Sequence, residues 1–284
     1  MSTFALGLLL LAGTLHAAWN LLIKRASNRL LFTWLAVLAG GLLDLPVLIA
    51  SPVPRPIWPF VVASGLVECV YYLFLAYAYG QADFSQVYPL ARGAAPVLLA
   101  LWAALALHER PSTAGLAGLA LVVAGLVPVG SGAAWWHWGG SAFRARGVAA
   151  ALGVALCVSC YSLIDAIAVR RTAAAPYTAA ITLASVVPLA PPLVMRYGLR
   201  AIVAEARAGA LRIALAGALM MIAYTSVLSA YAVTPLAYAG AVREVGVVIA
   251  ALAGWRWLGE SFGPRRLAGA VAVFAGILVL AFMT

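Results

Sequence analysis

Polar side chains recur at helical spacing inside otherwise apolar stretches of this sequence. His16, Asn20 and Lys24 stand at i, i+4 and i+8, with Trp19 beside them; Glu68, Tyr72 and Tyr79 stand at i, i+4 and i+11. Tyr88 and Arg92 form an i, i+4 pair with Pro96 one turn later, Tyr161 and Asp165 form another, and Tyr238, Arg243 and Glu244 share a later segment. Residues three or four apart share a helix face, so each set makes a stripe. A charge in hydrocarbon costs roughly 2.5–3.5 kcal/mol on insertion scales, so such stripes turn away from lipid and toward one another. Charge, amide and phenol groups converging in this way make a cavity for a polar organic solute. Arg92 or Arg243 suits a carboxylate or another anionic group. Glu68, Asp165 and Glu244 suit an amino group or a proton, and His16, with its pKa near neutrality, is a further proton carrier. Trp19, Asn20, Tyr72, Tyr79, Tyr88 and Tyr161 are the expected lining, their rings able to stack on apolar parts of a substrate or on a cation.

Each of these residues also has a plainer role open to it. Arg92 with Glu244, or Arg243 with Glu68, could be ion pairs that hold the molecule together. Asp44 could pair with a neighbouring hydroxyl or a buried cation. Glu109 and Glu260, at span ends beside Arg110 and Pro264, read as caps or loop partners. His16 could be a hydrogen-bonded packing residue.

Composition fixes the surroundings of these stripes. The chain has 284 residues, 65% of them hydrophobic and 9% charged, and its mean hydropathy is +1.05. Soluble domains carry about 25% charged residues, so much of this surface faces lipid. The net charge of +10 comes from basic residues scattered singly or in pairs between apolar runs, all Arg except Lys24. That pattern fits anchoring of membrane loops and not nucleic-acid binding. Cys69, Cys157 and Cys160 lie in apolar segments; Cys157 and Cys160 have CxxC spacing with no second pair, and read as small packing residues with no metal site. No basic segment precedes the first apolar run, which reads as a retained span and not as a cleaved signal.

A crossing needs about 20 apolar residues. On that measure the chain has ten spans, near 4–23, 31–51, 57–79, 85–107, 112–130, 147–169, 176–195, 210–231, 235–257 and 265–283. Its connectors are short, and the longest, 131–146, carries Trp135, Trp136 and Trp138, which suits an interfacial segment. None is long enough for a catalytic domain outside the membrane.

A shift of 151 residues places Arg92 on Arg243, Glu109 on Glu260, Gly118 on Gly269 and Gly125 on Gly276. Two Arg and two Glu coincide from a small pool of charges, which marks a duplication: 1–130 and 147–284 as five-helix repeats joined by 131–146. An odd span count per half forces the second half to enter the membrane inverted. The fold class expected is therefore an all-α membrane protein of ten transmembrane helices in two inverted five-helix repeats, with a midplane site and rocking between access states. Gly115, Gly118, Gly269 and Gly276 are expected to be helix-packing notches.

The segments His16-Ala17-Ala18-Trp19-Asn20-Leu21-Leu22-Ile23-Lys24 and Tyr88-Pro89-Leu90-Ala91-Arg92-Gly93-Ala94-Ala95-Pro96, with a Glu-containing turn and a Gly-spaced helix closing each half, resemble the EamA-like members of the drug/metabolite transporter superfamily. The resemblance covers essentially the whole chain. It implies a multi-pass protein of the bacterial inner membrane, a secondary transporter and often an exporter of amino acids or other metabolites, without bound cofactor. One departure is that Glu244 follows Arg243 where Gly93 follows Arg92.

The resemblance also implies cytoplasmic termini. Counting basic residues gives 12 in loops after odd spans and 4 in loops after even spans, which places the termini outside. The two indications disagree.

The partners expected are a small-molecule substrate and the lipid bilayer, with proton coupling and a monomeric or homodimeric assembly. The nearest rival function is a multidrug exporter of organic cations, which needs a net acidic cavity. From another class, an intramembrane enzyme needs metal-ligand spacing or a nucleophile–base pairing that the spans lack, and a channel needs a filter repeat.

Overall fold

In the computed structural model, the backbone is described for residues 1–24, 26–81, 84–131, 142–258 and 263–283; within these, the side chains of 24, 75–81, 84–93, 130–131, 142–148, 250–251, 253–254 and 257–258 are outside the description. Among the described residues all regular elements are helices. The first half comprises α1 (Thr3–Lys24), α2 (Arg29–Leu43), α3 (Leu45–Ala50), α4 (Trp58–Gln81), α5 (Phe84–Ala106) and α6 (Thr113–Ser131). The second comprises α7 (Ala142–Val169), α8 (Ala174–Val186), α9 (Ala190–Tyr197), α10 (Leu199–Ala208), α11 (Ala210–Val233), α12 (Leu236–Arg243), α13 (Val245–Leu258) and α14 (Pro264–Phe282). Helix is the only way to satisfy the backbone of such apolar runs within lipid, short of a closed barrel. Seven helical stretches among the described residues are long and apolar enough to cross a membrane, and Ala94–Ala106 and Thr113–Val129 are shorter apolar helices.

Three of the expected spans are broken, and proline accounts for two of the breaks. α2 stops at Leu43 because Pro46, in the first turn of α3, has no N–H to continue the ladder. The Asp44 N–H then reaches Gly40 O and Leu42 O, leaving Asp44 at the junction. The expected span 176–195 is interrupted by a 3-10 turn at Val187–Leu189 containing Pro188, where the Ala190 N–H bonds to Val187 O. This leaves the Val186 carbonyl free, and the Trp34 indole N–H of α2 donates to it at 3.0 Å. The third break, between α12 and α13, falls at Glu244, whose N–H bonds to Ala241 O at 3.1 Å. No proline explains this break; Gly246 just beyond it packs directly on the backbone of Gly13 in α1. The connector before α11 also holds a helix the hydropathy reading lacks, α10, whose Ile202 is buried while Leu199 and Arg200 stay exposed.

Neighbouring helices correspond when the halves are exchanged. α1 packs on α11 as α7 packs on α4, and α2 packs on α11 as α8 packs on α4. The axis of this exchange runs between α6 and α14, where Gly118 meets the backbone of Gly276 and Gly125 meets that of Gly269. The 151-residue shift equates Gly118 with Gly269 and Gly125 with Gly276, so the contacts are reciprocal. The early residue of each helix touches the late residue of the other, which requires the two helices to run antiparallel. That is the inversion an odd span count demands, and the glycines are the packing notches expected of them. One large buried cluster joins α1, α5, α6, α12, α13 and α14 across this axis, through Leu9, Leu99, Leu126, Leu236, Val248 and Leu280 among others.

Candidate functional site

Four helices of the second half and one of the first bring ionisable and aromatic groups together. Asp165 on α7 is fully buried. Its Oδ1 accepts from the hydroxyl of Tyr177 on α8 at 2.8 Å, and its Oδ2 accepts a short hydrogen bond from the hydroxyl of Tyr224 on α11. Tyr177 is wholly enclosed, while Tyr224 is half-buried. The Tyr224 ring lies edge-on to Tyr161 at 6.4 Å, Tyr161 to Tyr71 at 6.1 Å, and Tyr71 to Tyr72 at 5.1 Å between centroids. A row of phenols thus runs from α11 across α7 to α4, with edge-to-face geometry that stabilises aromatic pairs.

Arg243 closes the other side. It ends α12, where its Nη1 donates to the Tyr231 hydroxyl at 2.9 Å and to Ser162 Oγ at 3.4 Å, and its Nε lies 3.7 Å from Glu244 Oε1. The guanidinium is therefore an ion-pair member, as one of the plainer readings held, though with its sequence neighbour Glu244 and not with Glu68. It also stands within electrostatic reach of Asp165, Tyr161 and Tyr224. A guanidinium in such a cage is held in one orientation by its acceptors, and it stays charged at any physiological pH. Glu68 on α4 lies beside Ser185 and within the field of Asp165. Glu68 and Arg243 are thus each coupled electrostatically to Asp165, beside the row of tyrosines.

The other expected residues distribute as follows. Trp19 lies edge-on to His16 at 4.5 Å and packs, like Tyr72, against the buried cluster built from α2, α9, α10 and α11. The Asn20 amide N–H donates to His16 O at 2.7 Å, one turn back on the same helix. His16 and Asn20 are half-buried. The side chains of Tyr79, Tyr88, Arg92 and Lys24 lie outside the described residues, as does Glu260. Tyr238 serves packing: its hydroxyl accepts from the Ser112 N–H at 3.2 Å at the start of α6. Among the described residues, no three His, Cys, Asp or Glu side chains stand close enough to hold a metal ion.

Tyr177, Tyr224, Tyr231 and Ser162 are absent from the sequence-derived set. A weak signal existed for two of them: Tyr224 and Tyr231 stand at i, i+7 on one face of α11, yet the only charged residue of that helix, Arg212, sits in its first turn, far along the helix from both. Ser162 sits one turn before Asp165, on its face.

An Asp165→Asn variant tests the carboxylate's role. An amide keeps one acceptor oxygen, but one of the two phenols must then accept from its NH₂ and turn its own proton away from the only acceptor it has at this site. Leaving one buried polar group unsatisfied costs about 1–3 kcal/mol. The expected result is a lowered melting temperature in detergent.

Buried charge within a bundle of apolar helices built from two inverted halves fits the architecture of a transporter. The EamA-like transporter family model matches residues 3–130 and again 145–282. The chain belongs to this family and is thereby a membrane transporter of the drug/metabolite superfamily, acting on a small-molecule substrate in a lipid environment. One solved crystal structure superposes with a TM-score of 0.77 over 98% of this chain and 99% of that one, at 20% identity, which speaks to the fold alone. No protein of curated function matches.

Proposed function

We propose that the chain is a secondary transporter of amino-acid-like or related small organic metabolites, an exporter working by alternating access, and not an enzyme. Its ten spans form two inverted five-helix repeats, 1–130 and 147–284, joined at 131–146, in a bacterial inner membrane. The observation that carries this reading is that Arg243 and Glu68 both stand within electrostatic reach of the buried Asp165, beside a row of phenols. A zwitterion needs one fixed cation and one fixed anion a few ångströms apart, with apolar walls for its side chain. Arg243 holds the carboxylate, and Glu68 takes the amino group. Asp165, with Glu68, Glu244 and His16, supplies the candidates for a coupled proton. Trp19, Asn20, Tyr72, Tyr79, Tyr88 and Tyr161 line the path, and Arg92 is the repeat-related partner of Arg243.

The test is flux in proteoliposomes, with and without an imposed proton gradient, using labelled amino acids beside an organic cation such as tetraphenylphosphonium. Glu68→Gln is expected to raise the apparent KM for an amino acid at least tenfold, as loss of a charge-assisted contact predicts. Arg243→Lys is expected to do the same. If the wild type moved only the organic cation, and Arg243→Lys left that flux intact while Glu68→Gln abolished it, the cation-exporter reading would replace this one.

A further inference from the structure

Glu109 lies in the connector between α5 and α6, outside the site, and the sequence reading gives it the role of a cap or loop partner. The packed fold gives it more. α5 ends in a turn in which His108 adopts φ 54°, while the N–H groups of Leu107 and Glu109 both return to Ala103 O, at 3.1 and 3.0 Å. A left-handed residue at this point reverses the chain in the way helix C-terminal motifs do. Here it swings Glu109 across to the other repeat. Its Oε1 accepts from the N–H of Leu236 at 2.9 Å, and its Oε2 accepts from that of Ala237 at 3.3 Å. Those are the first two amides of α12, free donors at the positive end of a helix dipole. Oε1 also pairs with Arg170 Nη2 at 3.0 Å, with the two side chains 35% and 14% exposed for Arg170 and Glu109.

These partners belong to the elements that carry the site. α12 begins at the amides Glu109 holds and ends at Arg243. Arg170 follows the end of α7, five residues beyond Asp165. One carboxylate of the first repeat therefore holds the start of the helix that ends at Arg243 and pairs just beyond the end of the helix that carries Asp165. Next to it, Ser112 N–H bonds to the Tyr238 hydroxyl, and a Cβ on Gly115 would overlap that same oxygen. The repeats are pressed together at this end of the bundle.

We propose that Glu109 is an inter-repeat latch, a positioning residue that seals this end of the transport path and sets the place of α12, hence of Arg243, while the latch is made. Access from this end requires the carboxylate to leave the α12 amides and Arg170. This step rests on the alternating-access reading, but its test needs no substrate. Cys69, Cys157 and Cys160 are replaced by alanine, and spin labels are attached at Thr113→Cys and Ala173→Cys, one exposed site on each repeat at this end. Pulsed EPR distances are then recorded in nanodiscs.

The parent is expected to give one dominant distance. Glu109→Ala is expected to raise the ratio of a longer-distance population to the parental one about tenfold, the shift given by losing one charge-assisted contact set. Glu109→Gln, which keeps neutral acceptors for the amides but loses the ion pair, is expected to fall between the two, as is Arg170→Ala. Distances unchanged in Glu109→Ala would overturn the latch. If that variant does not yield folded protein, unchanged distances in both Glu109→Gln and Arg170→Ala would overturn it equally. Flux failing with the distance shift intact would remove the cargo assignment and leave the latch; flux present with unmoved distances would do the reverse.

Discussion

Arg243→Ala is expected to abolish transport and to lower stability in the same protein, whereas Arg243→Lys is expected to preserve folding while losing most of the flux. The guanidinium donates to Tyr231 and Ser162 and faces Glu244, which is fully buried. Removing one member of a buried charged set costs about 3–5 kcal/mol, because the remaining charge stays behind without its counter-ion. That loss is read as a lower melting temperature and a smaller monodisperse yield after size exclusion. Lysine restores the positive charge, so the melting temperature should recover in large part. It cannot reproduce a planar fork that serves Tyr231 and Ser162 while presenting further donors to a carboxylate. If Arg243 were only a brace, lysine would rescue stability and flux together. The separation of the two readouts distinguishes a binding role from a structural one.

The second large effect lies far from the site. Gly125→Val and Gly269→Val are each expected to prevent recovery of folded protein, because a Cβ at either position has no space. A Cβ on Gly125 would lie 2.5 Å from the Gly269 carbonyl oxygen, and one on Gly269 would lie 2.6 Å from that of Gly125. In both cases the obstacle is backbone, which cannot rotate aside as a side chain can. Overpacking in a well-filled interior costs about 1–3 kcal/mol even where side chains give way. Here α6 and α14 must separate, and the reciprocal contact that joins the halves opens with them. Gly7, where an added Cβ would meet nothing within 4 Å, supplies the contrast: Gly7→Ala is expected to be neutral or slightly stabilising, since alanine is about 1 kcal/mol the better helix former. The readout for all three is fluorescence-detected size exclusion in detergent.

The pairing of the halves was legible in the sequence to an unusual depth. A shift that aligns Gly118 with Gly269 and Gly125 with Gly276 implies reciprocal contact once the halves are inverted, and these glycines do touch in crossed pairs. The polar stripes were equally legible, because an acid inside an apolar run stands out against its surroundings. Hydrogen-bond partnership was not. Nothing in periodicity shows that the oxygens of Asp165 will meet phenols from α8 and α11, since those tyrosines lie 12 and 59 residues away and are inconspicuous within their own helices. Pro46 and Pro188 signal the breaks in two spans, but hydropathy averages over them and sees one continuous apolar run. The Glu244 break has no such local sign. Glu109 shows the limit most clearly: its type and place at a span end suggested a cap, but only the packed fold reveals that the helix it caps, α12, belongs to the other repeat and carries Arg243.

The most direct test of the central claim is counterflow in proteoliposomes loaded with a high concentration of one unlabelled neutral amino acid at a time, with trace label outside. Transport through a site formed by Arg243 and Glu68 predicts transient accumulation of label for at least one amino acid, saturable, abolished by the corresponding cold substrate outside, and absent in Arg243→Ala vesicles of equal protein content. Counterflow that persists undiminished in folded Arg243→Ala protein, or a wild type that accumulates no amino acid across the panel, would contradict it.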